Sequence, residues 1–600
     1  MKYLRFISNI VDIIVSPIRQ EPIFIFWCVF LMIYPTIVNA LWINGNELSL
    51  IYIMQTNRFG AAIPYVLFIP IVAAYLLAVL QLILRYSWLK WLIYISLLLL
   101  SCVNLFLLLN FSTLITPMMF TLLTETTGAE TTGFLSTYMF SEGTFLTLLV
   151  LVLLFFIILY CEKCKLFHLV NPNNGVFIKY PLFFILVYFF YRGLACTLFF
   201  FSLFQCKTPA DIEKWSHGFK YETNTLTNFV YSLYDFSCQK YELDNFYKVM
   251  CKIDTTVVEA KDDSVDIVLV IGESYNKYHS SLYNYQFKTS PYMEMYKRDG
   301  NLLAFDNVIT PYNLTSFVIK NIMSTNSLSD YEQWSNYPLF PALFKKAGYD
   351  VLFWDNQMLT SGGDVSDFSL NSLIHNPTIS KMAYNKVNQH SFKYDEELVD
   401  DFRKENPVLS KKNLIIFHLQ GQHFEAKDRF PANKGFDFFK PGQYYRPDLS
   451  DGMKEEIAEY DNATLYNDFV LYKIVNLFKN RNAVVIILSD HGEEVYDYRC
   501  FLGRTHEDEK SDEALKYQYE VPFLIWMSDE FIDRNSLIFD DLKGCIHKNL
   551  MIDNVSQLLM RLGGLKCSYY KAHRDPLSDH FIAGPRLVNN RIDYDYQMNN

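Results

Sequence analysis

Five long apolar stretches crowd into the first third of this 600-residue chain, and no other feature limits its folding as much. They run over Pro22–Ile43, Ala62–Leu84, Trp91–Asn110, Thr144–Tyr160 and Tyr180–Phe204. A helix needs about 20 apolar residues to cross the hydrocarbon core of a bilayer, so each stretch is a candidate span. The fourth is the shortest. Buried helices of a soluble protein are the competing reading, and five in succession make it a poor one. Arg192, inside the last stretch, must either reach out to the interface or face the interior of a helix bundle. Mean hydropathy over the whole chain is only +0.07, because the later residues have the composition of a water-soluble domain.

The basic residues orient the spans. Lys2, Arg5 and Arg19 precede the first, Arg85 and Lys90 follow the second, and Lys163, Lys165 and Lys179 separate the fourth from the fifth. The loop from Ser112 to Gly143 has no Lys or Arg. Basic residues favour the cytoplasmic side, so the N-terminus is expected inside and everything after Phe204 outside. The first stretch is too long for a removable signal peptide and lacks a small-residue cleavage site. The net charge of -11 argues against a nucleic-acid partner, because phosphate binding needs a basic surface. Outside the cytoplasm disulfides are permitted. Cys238 with Cys251, and Cys545 with Cys567, are the candidate pairs.

Three regions follow: a transmembrane domain over 1–206, a connector over 207–263 and an exported domain over 264–600. In the connector, Leu226, Phe229, Val230 and Leu233 have helical spacing. They predict a helix on the membrane surface or packed on the soluble domain. From Ser264 the pattern changes to short apolar runs at Val265–Ile271, Leu414–Phe417, Ala483–Leu488 and Val521–Trp526. Helical segments intervene at Tyr337–Ala347 and Met453–Lys479. Buried strands alternating with helices predict an α/β domain with a largely parallel sheet.

Three of the runs end in residues able to bind metal: Glu273 after the first, His418 and His423 after the second, Asp490 and His491 after the third. Ligands of open α/β sheets gather beyond the carboxyl ends of the strands. Glu273, Asp490 and His491 are therefore expected to converge. Carboxylate oxygen and imidazole nitrogen suit zinc, and a catalytic zinc site keeps one position open for a hydroxyl to be activated. A lone Glu after a strand is more often a cap or a solvated residue. Adjacent acid and imidazole at a strand end are costly to bury without a partner.

The stretch GESYNKYHSSLYNY from Gly272 resembles the opening signature of the bacterial phosphoethanolamine transferases, members of the alkaline phosphatase/sulfatase superfamily. The likeness extends to Leu314-Thr315-Ser316, to His418 through His423, to Tyr460-Asp461-Asn462, to Ser489 through Glu493, and to Gly503 through His506. It implies five membrane helices and an α/β, sulfatase-like catalytic domain in the periplasm, on a multi-pass inner-membrane protein. It implies Thr315 as nucleophile, with Glu273, Thr315, Asp490 and His491 as the zinc site. His423 and His506 would bind the transferred phosphate or a second zinc. Thr126 and Glu130 would contact the ethanolamine end of the donor. The implied reaction moves phosphoethanolamine from phosphatidylethanolamine to lipid A, a lipopolysaccharide core sugar or another periplasmic glycan, through a covalent threonine intermediate.

The chain departs from the family at Pro311 and Asn321, where lipid A-modifying members often carry paired cysteines. It also departs at Leu122, in place of an asparagine, and at Lys277, in place of an arginine. Two other functions compete. A phosphoglycerol transferase of the same superfamily would use the same threonine with manganese, and His423 and His506 favour zinc over that. A non-catalytic metal-binding envelope protein would have no need of the full set Glu273, Thr315, Asp490 and His491.

Overall fold

The computed structural model describes residues 2–38, 67–111, 114–117, 119–120, 141–164, 175–218, 224–255, 258–260, 264–357, 376–406, 408–423, 425–504, 511–589 and 592–599. It divides into two compact units, Met1–Tyr241 and Glu242–Asn600.

The first unit is helical. By length and composition, Ser87–Asn110, Glu142–Cys164 and Tyr180–Gln205 are long and apolar enough to cross a membrane. Pro22–Val38 joins the preceding helix at a bend of 69°, and the bent pair would make a fourth span. Ile69–Leu84 is apolar but only 16 residues long, and its expected beginning at 62–66 lies outside the described residues. Among the described residues, three helices are therefore candidate spans, or four with the bent pair, and the expected number of five is not reached there. The ends of three helices are tied by charge. Lys90 Nζ lies 2.7 Å from both Glu21 Oε2 and Glu162 Oε2, and Tyr94 donates to Glu162 Oε1 at 2.6 Å. Charges near a bilayer persist when paired in this way. Arg192 is exposed on its helix among the described residues.

Helix Thr225–Cys251 contains the expected connector helix. In the first unit Phe229 meets the Phe120 ring edge-on, and Val230 packs with the cluster around Trp215 and Tyr231. No disulfide joins Cys238 to Cys251 or Cys545 to Cys567 among the described residues. The first pair lies 13 residues apart on one helix, which at 1.5 Å per residue is about 20 Å and far beyond disulfide reach. In the second, Cys545 Sγ donates to Pro576 O at 3.1 Å, while Cys567 lies 3.9 Å from Met560 Sδ.

The second unit is built on a seven-stranded sheet. Its strands are β1 (Val265–Gly272), β2 (Leu302–Phe305), β3 (Asp350–Asp355), β4 (Lys386–Val387), β5 (Lys412–His418), β6 (Ala483–Ser489) and β7 (Phe523–Met527), in the order β2-β7-β6-β1-β5-β3-β4. β1 pairs in parallel with β5 and β6, and β5 with β3. Only β7 runs against its neighbours. The sequence places β1 at the centre: all eight of its residues are buried. Ile267, Leu269 and Ile271 enter one hydrophobic core, and Val268 and Val270 the core on the opposite face. A strand apolar on both faces belongs inside a parallel sheet covered by helices on each side, and each such side chain contributes about 1.5–3 kcal/mol on burial.

Candidate active site

Strand register delivers the site. Gly272 of β1 pairs with Ser489 of β6, and Ile271 with His418 of β5. Glu273, Asp490 and His491 therefore leave the sheet side by side at its carboxyl edge. The turn after β1 is sharp: Ser274 has φ 56, a left-handed conformation rare for a residue with a side chain. It aims the Ser274 N–H at Asp490 Oδ1, 3.1 Å away. Gly421 (φ +53) lets the loop after β5 lie against this turn, since a Cβ there would fall 2.7 Å from Glu273 O.

Glu273, Asp490 and His491 are fully buried, and their ligand-type atoms lie within 4.8 Å of one another. The His491 Nδ1–H donates to Gly492 O at 2.9 Å, which turns Nε2 toward the carboxylates. Nε2 sits 3.0 Å from Glu273 Oε1 and 3.0 Å from Asp490 Oδ2. Thr315 Oγ1 is 3.0 Å from Glu273 Oε2 and 3.2 Å from His491 Nε2. Asp490 Oδ2 is buried without a hydrogen-bond partner. Two buried carboxylates, an imidazole nitrogen and a hydroxyl oxygen thus face one point, and such a set calls for a cation. Two oxygen ligands and one imidazole leaving a fourth position fit zinc.

The electrostatics show the same conflict. Burial raises the Asp490 carboxyl above its usual range, and the charge of Glu273 raises it further. Burial works on Glu273 in the same direction, but His491 outweighs it and holds Glu273 well below. Burial disfavours charging His491, as does Arg504, yet the two carboxylates lift it to about 9.

Thr315 opens the helix Thr315–Met323 and is only half-buried, so its hydroxyl is open to a substrate. Lys320, farther along that helix, packs against the rings of Phe317 and Trp334 with Glu242 Oε2 3.7 Å away. Asn321 Oδ1 accepts from Asn326 Nδ2 at 2.9 Å, and Asn313 Nδ2 donates to Gln518 Oε1 at 2.7 Å. Hydrogen bonds therefore brace the nucleophile loop. Lys277 is engaged structurally, 2.8 Å from Glu520 Oε2 and 2.6 Å from Asp306 O.

His423, half-buried, lies within electrostatic reach of Glu273 and Glu493 but outside the metal-ligand group. His506, Thr126 and Glu130, together with Leu122, lie outside the described residues. Sequence reasoning gave no role to four neighbours, two of which, Glu493 and Arg504, lie within the stretches of family likeness. Gln357 Nε2 donates to Glu273 Oε2 at 3.1 Å. Asp355 Oδ1 holds His418 Nδ1 at 2.9 Å. Glu493 Oε2 lies 3.0 Å from Arg504 Nε, and Arg504 Nη1 also touches His491 Nε2. Gln357 and Asp355 sit at the end of β3. The apolar run Val351–Trp354 after Gly348 was the available signal for that strand.

The signature after β1 also builds a buried charge cluster that supports the site. His279 Nδ1 is 2.6 Å from Asp461 Oδ1 and Nε2 is 3.4 Å from Asp497 Oδ1. Tyr285 and Tyr444 both donate to Asp461 Oδ2, at 2.8 and 2.6 Å. Burial opposes the charge on His279, but Asp461 and Asp497 prevail and raise it from 6.5 to about 10. Below pH 6.5 the imidazole is protonated both folded and unfolded; above that the folded protein alone keeps the proton. Its stabilisation is thus complete at low pH and disappears as pH rises through about 10. His279→Ala is expected to cost about 3–5 kcal/mol, because it strands the buried Asp461 and the half-buried Asp497. His279→Gln should flatten the decline in unfolding temperature between pH 7 and 10. An unaltered pH profile in the Gln variant would refute the assignment.

Residues 266–538 match the Sulfatase family model. Phosphoethanolamine transferase EptC of Escherichia coli K12 is 28% identical over 347 residues, covering 56% of this chain and 58% of that protein. Phosphoethanolamine transferase EptA of Helicobacter pylori is 34% identical over 281 residues, covering 45% of this chain and 49% of that protein. The chain thus spans about half the length of these curated relatives. The crystal structure of the C-terminal periplasmic domain of EcEptC from Escherichia coli in complex with Zn aligns at 26% identity, over 57% of this chain and 96% of that one, with a TM-score of 0.48.

Proposed function

We propose, from the premise that residues 266–538 are a sulfatase-family domain whose curated relatives are phosphoethanolamine transferases, that this chain transfers phosphoethanolamine from phosphatidylethanolamine to an envelope acceptor. The observation carrying this reading is the Thr315 hydroxyl, half-buried and within 3.2 Å of both Glu273 and His491 at a buried acid–imidazole cluster. Such a hydroxyl is poised for nucleophilic catalysis.

Glu273, Asp490 and His491, with Thr315, would hold zinc. When bound, zinc supplies positive charge to phosphoryl oxygens and lowers the pKa of a coordinated hydroxyl. Thr315 Oγ1, 3.0 Å from Glu273 Oε2, gives up its proton to solvent and attacks phosphorus. The new bond joins Thr315 Oγ1 to phosphorus. The bond from phosphorus to the glycerol oxygen breaks, and diacylglycerol leaves on taking up a proton. A phosphoethanolamine ester remains on Thr315. An acceptor hydroxyl or phosphate then loses its proton, attacks the same phosphorus and frees Thr315. His423 and His506 assist at the phosphoryl group or at a second metal, and Thr126 and Glu130 meet the ethanolamine. The acceptor is lipid A, a lipopolysaccharide core group or another periplasmic glycan.

The proposal carries the membrane assignment with it: five spans within 1–206, a connector over 207–263, the N-terminus in the cytoplasm and the catalytic domain 264–600 in the periplasm. A membrane anchor confines the enzyme to the surface that holds its lipid donor.

The test is the intact mass of the purified chain after incubation with phosphatidylethanolamine. Addition of one phosphoethanolamine mass is expected, with release of diacylglycerol. A zinc-loaded protein that gains no such mass but is modified by phosphatidylglycerol would replace this reading with phosphoglycerol transfer.

A further inference from the structure

The strongest unassigned feature beside the site is the Arg504 side chain. It follows the short strand Leu502–Gly503, which pairs with Glu494–Val495 just after His491. Two groups hold its guanidinium. Glu493 Oε2 lies 3.0 Å from Nε, and Nη1 donates to Asn313 O at 2.8 Å. Asn313 is two residues before Thr315, so the contact ties the guanidinium to the nucleophile loop. Nη1 also touches His491 Nε2, the same nitrogen that Thr315 Oγ1 approaches at 3.2 Å. The nucleophile and the guanidinium therefore border the same point from different elements.

Charge gives this placement a use. A phosphodiester brought to Thr315 adds negative charge beside Glu273, Asp490 and Glu493, all buried. Arginine stays protonated across the physiological range, and its planar fork matches two phosphoryl oxygens at once. The Arg504 side chain is 20% exposed, so it is not sealed inside the domain. A surface ion pair with Glu493 is the plain alternative. That alternative gives no reason for the second anchor, at Asn313 O beside the nucleophile.

We propose that Arg504 is a catalytic residue that binds the non-bridging oxygens of the phosphoryl group transferred to Thr315, and that Glu493 is the positioning residue that aims it. The proposal rests on the phosphotransfer reading above. Arg504 stabilises the charge that builds on those oxygens as phosphorus changes partners, and it takes no proton and forms no bond.

The experiment uses the zinc-loaded full chain in detergent, with inorganic phosphate as probe. Phosphate affinity is measured by calorimetry, and zinc per chain and unfolding temperature are recorded alongside. Arg504→Gln is expected to weaken phosphate binding at least tenfold and kcat by about a hundredfold or more, with zinc content unchanged. Arg504→Lys, which keeps the charge and loses the fork, should recover part of the binding. Glu493→Gln should lower kcat more than it raises KM. Equal phosphate affinity in wild type and Arg504→Gln would overturn the proposal. So would a loss of phosphate binding that merely tracks loss of zinc in both Arg504 variants. Phosphate binding that depends on Arg504 in a chain unable to take phosphoethanolamine would keep the anion site and reject the donor.

Discussion

Replacing Thr315 by alanine is expected to lower phosphoethanolamine transfer by about a thousandfold or more and to leave zinc bound. The Oγ1 lies 3.0 Å from Glu273 Oε2 and 3.2 Å from His491 Nε2. A methyl group cannot form the ester, so no phosphoethanolamine mass should appear on the variant and no diacylglycerol burst should follow mixing with donor. Glu273, Asp490 and His491 remain, fully buried and close together, so metal content should stay near that of the wild type. Folding should change little, because Thr315 is half-buried at the first position of its helix and alanine is a good helix former. Wild-type transfer by the alanine variant would end the covalent mechanism. Loss of zinc along with activity would instead make Thr315 chiefly a ligand. The paired measurements of adduct mass and zinc content distinguish a nucleophile from a structural hydroxyl.

The central strands and the heart of the site were legible in the sequence for one physical reason. β1, β5 and β6 are apolar on both faces, so they stand out without any periodicity, and parallel register forces the residues after them to one edge. Glu273, Asp490 and His491 follow from that alone. Thr315 does not. It opens a nine-residue helix whose cap, Leu314, carries no capping side chain, and only likeness to a family singled it out. β2 and β4 are too short to announce themselves, at four and two residues. Arg504 was unreadable differently: charged residues follow it in the sequence, and its meaning depends on Glu493 and Asn313, which only the fold brings to it. The spans were legible as apolar stretches, but length decides whether a helix crosses a bilayer. Ile69–Leu84 has 16 described residues, short of a span's length, and 62–66 before it lie outside the described residues.

Asp490→Ala should remove metal and activity together, with zinc affinity falling by more than about a hundredfold, beyond the usual effect of a residue that only supports a ligand. Asp490 Oδ2 lies 3.0 Å from His491 Nε2, and the two atoms belong to the group that a metal would join. The other oxygen, Oδ1, accepts the N–H groups of Ser274 and His491, at 3.1 and 2.7 Å. Asparagine preserves that acceptor while cancelling the charge. Asp490→Asn should therefore fold as the wild type does: without metal it loses the ion pair with His491 but also relieves the like charge beside Glu273. Added zinc should raise the unfolding temperature of the wild type and leave that of Asp490→Asn unmoved. A zinc-induced rise of equal size in both proteins would place the metal elsewhere. The cluster of Glu273, Asp490 and His491 would then be a buried ion network rather than a catalytic centre, and the hydroxyl of Thr315 would lose the cation that makes it a nucleophile.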